Sequence, residues 1–190
     1  MSTGRMVSVG LLPLCFIWLS VTEKNLLPLI LLLHVAVHEA GHLLSALLCR
    51  IRPGCAEGRY IGMNISFSGA VISYKKELII LLSGSGANFL FLLFSAFILR
   101  SYYEFYYLSG VGIALFNLLP LRICDGGKAL FCILLMLLPE ERAVKLSGAV
   151  HFISAIFLLA FAVSAQFVYR VNLSLLVVSI YVLLELILLE

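Results

Sequence analysis

Charge is what this chain has least of. Asp, Glu, Lys and Arg together make up 12% of its 190 residues against 63% hydrophobic residues, and the mean hydropathy is +1.13. That balance lies outside the range of soluble domains and makes the lipid bilayer the natural solvent. The formal net charge is only +3, and no basic patch suited to nucleic acid is present. The five cysteines are scattered with no C-x-x-C spacing, so free thiols are expected rather than a disulfide framework or a thiolate metal site. There is no internal repeat, no low-complexity tract and no soluble segment of appreciable size. The whole chain, 1–190, therefore reads as one membrane-embedded domain without a soluble regulatory domain. Aspartate occurs once, at Asp125.

What is present is a series of apolar runs, over residues 6–21, 26–49, 78–99, 102–138, 144–168 and 171–189. Most approach the ~20 residues that a helix needs to cross a hydrocarbon core about 30 Å thick. The first follows Arg5 but has no small-x-small cleavage site after it, so it reads as a retained helix rather than a signal peptide. The fourth is too long for one straight helix, which at 1.5 Å per residue would reach roughly 55 Å. It is interrupted at NLLPLRICDGG, residues 117–127, by Pro120 and the Gly126-Gly127 pair around Arg122 and Asp125. Irregular backbone at membrane depth is tolerated only where protein buries it or it lines a wet cavity, so the break is itself a candidate site.

The expected fold is an all-α polytopic membrane protein, with about six transmembrane helices, one of them broken. Arg5, Arg50, Arg52, Arg59, Lys75, Lys76, Arg142 and Lys145 fall on one side of these crossings, and Lys24, Arg100 and Arg170 on the other. The excess predicts that both termini are cytoplasmic. Residues 58–76, GRYIGMNISFSGAVISYKK, are rich in β-branched and aromatic residues with Ser68-Gly69 at a turn position. They predict a short membrane-associated β-hairpin.

The chemistry concentrates in HVAVHEAGH, residues 34–42, inside the second apolar run. An ionised group at mid-bilayer costs about 2.5–3.5 kcal/mol on insertion scales, so these side chains need partners or a metal. His38 and His42 stand one helical turn apart and can hold one cation, while Glu39 is placed to deprotonate a water. The three histidines span about 12 Å of helix axis, too far to share an ion. His34 is therefore expected behind the ligands or in packing. A catalytic zinc takes three protein ligands and keeps one position open. Asp125, beside two glycines that let the backbone turn, is the candidate third ligand; its plainer role is to cap the following helix. His151 and Glu185 read as interhelical hydrogen-bond partners or helix-end groups, and Glu104 and Arg170 as charges reaching the interface.

HEAGH, the Gly84-x-x-x-Asn88 motif and NLLPLRICDGGKAL in this order resemble the site-2 protease family of intramembrane zinc metalloproteases, and most of all its bacterial branch of stage IV sporulation protein FB. The resemblance spans residues 25–138. It implies Zn2+ held by His38, His42 and Asp125, water activated by Glu39, and a substrate-facing region shaped by Asn117, Pro120 and Asn88. It also implies that the 58–76 hairpin receives unwound substrate. Two departures stand out: Ser85 occupies a position where many members carry proline, and residues 139–190 read as further apolar helix rather than the nucleotide-sensing CBS domain that usually follows the core.

The function expected on these grounds is an intramembrane zinc endopeptidase in a bacterial cytoplasmic membrane. It would cut a membrane-tethered protein substrate, such as a transcription-factor precursor, under a membrane regulatory protein, with no nucleic-acid partner. The alternatives are a zinc transporter, which should show further ligands on a second helix, and a catalytically inactive binding protein of the same fold.

Overall fold

The computed structural model describes residues 27–51, 73–95, 103–169 and 174–188, and among them every regular element is helical. These are α1 (Leu27–Leu48), α2 (Tyr74–Ser95), α3 (Tyr103–Leu118), α4 (Asp125–Leu137), α5 (Glu140–Tyr169) and α6 (Ser174–Leu188). Among the described residues three segments are long and apolar enough to cross a membrane: Pro28–Leu48, Tyr74–Ser95 and Glu140–Phe167. This is fewer than the six crossings expected. The broken run yields helices of 16 and 13 residues, or about 24 and 20 Å, each short of the hydrocarbon thickness. The apolar stretch of α6 is likewise short, Leu175–Leu184, and the expected crossing at 6–21 lies outside the described residues.

The β-hairpin is corrected at its C-terminal end, and no strand occurs among the described residues. Residues 74–76 form the first turn of α2, and the expected hairpin residues 58–72 lie outside the described set. The Ser73 carbonyl accepts from the Lys76 and Glu77 amides, and Glu77 in the first turn complements the helix dipole. At the other end of the intervening segment, α1 closes with Arg50 at φ 58°. Ile51 N–H donates to Ala46 and Arg50 N–H to Leu47, both at 2.9 Å, which is the Schellman pattern.

The chain divides into two compact units, Met1–Leu44 with Ser83–Leu115, and Ser45–Leu82 with Phe116–Glu190. In the first, the α1 and α2 segments run antiparallel. His34 lies against Phe91 with ring centroids 6.0 Å apart, and Gly84 lies against His38 and His42. Small residues permit the approach: a Cβ on Gly41 would sit 2.6 Å from both Ala87 Cβ and the Ser83 carbonyl. Ser83 Oγ donates to the Gly41 carbonyl and Ser85 Oγ to the Ala114 carbonyl, each at 3.1 Å. Ser85 thus ties α2 to α3 by a side-chain bond.

In the second unit α4 packs on α5 and α5 on α6. Leu121, Cys124, Ala155, Leu158, Val182 and Leu186 form the buried core. The break before α4 is a tight series of turns, with Leu121 N–H donating to Leu119 (2.8 Å) and Cys124 N–H to Leu121 (3.0 Å). Pro120 has no amide to satisfy. Gly126 and Gly127 press against the Leu118 and Leu121 carbonyls, where a Cβ would collide with backbone. Cys49 and Cys132 are free thiols, as expected for these two. Large apolar side chains such as Phe152, Phe157, Phe161 and Phe167 remain exposed along α5, a surface suited to acyl chains.

Gly127→Ala should destabilise the protein by about 1–3 kcal/mol through overpacking. Gly148→Ala, with open space around its Cβ, should be neutral or stabilising. Unfolding in detergent, followed by helical circular dichroism, distinguishes the two; equal stability of the variants would refute the close approach at the break.

Candidate metal centre

α1 brings the two predicted histidine ligands together because its i, i+4 geometry stacks them on one face. The Nε2 atoms of His38 and His42 are 3.1 Å apart, and the rings meet edge to face at a centroid distance of 4.6 Å. Both residues are buried, each at 5% exposure, in a helix otherwise made of Leu, Ile, Val and Ala with few polar groups. Two imidazole nitrogens bound tetrahedrally to one ion at about 2.0–2.1 Å would stand about 3.3 Å apart. The observed pair is therefore already at ligand spacing. Gly84 forms the wall beside them, since a Cβ there would run into His42 Nε2 and His38 Cε1. The glycine of the Gly84-x-x-x-Asn88 motif thus makes room for the imidazoles.

Asp125 joins this pair. One ligand atom from each of His38, His42 and Asp125 lies within 4.8 Å of the others, so the three could hold a metal ion. Two neutral nitrogen donors and one carboxylate suit zinc, and also iron or cobalt. Asp125 is the first residue of α4 rather than its cap: Cys124 takes the cap position with φ −89°, ψ 157°, and without a side-chain cap bond. The alternative role as a helix cap is thereby not the one observed. Lys128 Nζ stands 3.8 Å from Asp125 Oδ1, one turn along α4, and supplies a positive neighbour to the carboxylate.

Glu39 follows His38 on α1 and is exposed. Asn117 and Pro120 are half-buried at the end of α3 and in the break after it. Asn88 is fully enclosed at 0% exposure. His34 is not part of the ligand group; its Nε2 lies 3.1 Å from the Tyr106 carbonyl, in accord with the expected packing role. His151 lies against the Gly127 backbone and near Arg122, as an interhelical partner should. Tyr106 had no sequence signal, since the block YYEFYY does not single out the buried Tyr106 ring. Gly110, whose Cβ would meet His34 Cε1 at 2.5 Å, is marked only by the small-residue spacing Ser109-Gly110-x-Gly112.

No protein-family model matches the chain, and no curated protein matches it in sequence.

Purified protein loaded with zinc should carry about one equivalent, and His42→Ala and Asp125→Ala should each lower this occupancy at least tenfold, consistent with lost ligands. Gly84→Ala should also reduce occupancy, while Gly86→Ala, with nothing near its Cβ, should not. Elemental analysis after dialysis reads all four, and full loading of Gly84→Ala would contradict the tight wall beside the histidines.

Proposed function

We propose that the protein is an intramembrane zinc endopeptidase of the site-2 protease type, acting on a membrane-tethered protein. The observation that carries this reading is the His38, His42 and Asp125 group beside an exposed glutamate, Glu39, on a helix apolar enough to span a bilayer. A carboxylate at that depth is costly facing lipid, so its exposure fits a water-accessible reaction space. The metal, when bound, polarises a peptide carbonyl and acidifies water.

The chain's own residues account for the remaining steps. Glu39 accepts a proton from the attacking water and returns it to the leaving amine. His38, His42 and Asp125 fix the metal, and Lys128 balances the aspartate charge. The turns from 119 to 124 place non-helical backbone near Asp125 in sequence, where an extended substrate segment could find main-chain partners. A substrate helix must unwind before its peptide bonds can be reached, and Asn117 and Pro120 stand at that irregular stretch. The segment 58–72 is the second candidate for receiving it.

On this reading the substrate is a regulator released from a bacterial cytoplasmic membrane, under control of a membrane regulatory protein, with both termini of the protease in the cytoplasm. A zinc transporter is the less favoured reading, because among the described residues the His38, His42 and Asp125 group is the one cluster of possible ligands. Conduction calls for successive sites. An inactive binding protein is less favoured because the base beside the ligands is retained.

Glu39→Gln should keep zinc yet cut a tethered model substrate in proteoliposomes about 10²–10⁴-fold more slowly, the usual scale of general base loss. Undiminished cleavage by this variant would remove Glu39 from the reaction. Zinc flux without cleavage by the wild type would favour transport instead.

A further inference from the structure

The first unit encloses more polar atoms than its protein contacts satisfy. His34 is 0% exposed, Asn88 0% and Tyr106 2%. Among the described residues, His34 Nδ1, both amide atoms of Asn88 and the Tyr106 hydroxyl have no hydrogen-bond partner from the protein. Burying such a group without a partner is strongly unfavourable in an apolar medium.

These groups share one region. The His34 and Tyr106 rings lie 4.6 Å apart at a 48° tilt, and Phe91 packs on both, at 6.0 and 6.1 Å. On α2, Asn88 lies one turn beyond Gly84, which touches His38 and His42, and one turn before Phe91, which touches His34. The i+4 and i+3 spacings put all three on the face toward α1, with Asn88 at the level between His34 and His38.

The donor and acceptor count identifies what belongs there. With Nε2 donating to the Tyr106 carbonyl, His34 Nδ1 is an acceptor. Asn88 adds an acceptor oxygen and an NH2 donor, and Tyr106 adds a hydroxyl. Donors and acceptors are balanced and no formal charge is present, so neither an anion nor a cation is matched. A neutral molecule that both donates and accepts is. We propose that His34, Asn88 and Tyr106 form a buried water-binding site inside the first unit, one helical turn from His38. Buried waters make about three hydrogen bonds each, which this set can supply. The site gives His34 a positioning role: it holds α1 in register against α2 and α3 through the Tyr106 carbonyl on one side of its ring and through water on the other. This inference does not depend on metal binding or proteolysis.

The test is water-edited solid-state NMR on ring-15N-histidine-labelled protein in lipid bilayers, with His34 assigned by backbone connectivity. Rapid magnetisation transfer from water to the His34 ring is expected, slowed several-fold in Asn88→Leu and in Tyr106→Phe. Transfer to wild-type His34 only from acyl-chain or protein protons would overturn the proposal, and that measurement needs no variant to fold. Unchanged water transfer in both substitutions would also overturn it, since the water would then be held elsewhere.

Discussion

A polar side chain inside an apolar helix must be satisfied by something other than lipid, and the described structure is organised around that requirement. In α1, one turn of helix separates His34 from His38 and another separates His38 from His42, so all three rings fall on one face. That face cannot point at acyl chains. It is closed by glycines where the rings are bulkiest, Gly84 against His38 and His42, and Gly110 against His34. The packing is therefore subordinate to the placement of the imidazoles. Large side chains such as Leu44, Leu47 and Leu48 are left on the outside of the same helix.

The same requirement explains the break between α3 and α4. The turns at 119–124 end one helix and restart the next at Asp125 itself. The restart needs the chain to pass close to its own carbonyls, which only the Gly126-Gly127 pair allows. Proline removes one amide that the turn would otherwise have to satisfy. Sequence features that look like interruptions of a membrane helix are in this way what restarts a helix at the chain's single aspartate.

Much of this was legible from residue types and spacing, because the informative terms are local. Membrane character follows from composition, the histidine pair from a four-residue spacing, and the break from proline and a glycine pair. The helix lengths were not legible, since hydropathy runs continue through turns that are themselves apolar: Leu119, Leu121 and Ile123 read as helix but form the break. The extended pattern assigned through Tyr74-Lys75-Lys76 gave way to helix because Ser73 accepts two amide hydrogen bonds and Glu77 favours the N-terminus. Partners far apart in the chain were invisible as well. The contact between His34 and the Tyr106 carbonyl joins residues 72 apart, and nothing in either local sequence announces the other.

The most direct test of the central claim, that His38, His42 and Asp125 together hold one metal ion, is X-ray absorption of the zinc-loaded protein in lipid. The expected result is a shell of nitrogen and oxygen ligands at about 2.0–2.2 Å with the outer-shell scattering of two imidazoles. A thiolate at about 2.3 Å, or an oxygen-only shell without imidazole scattering, would contradict it.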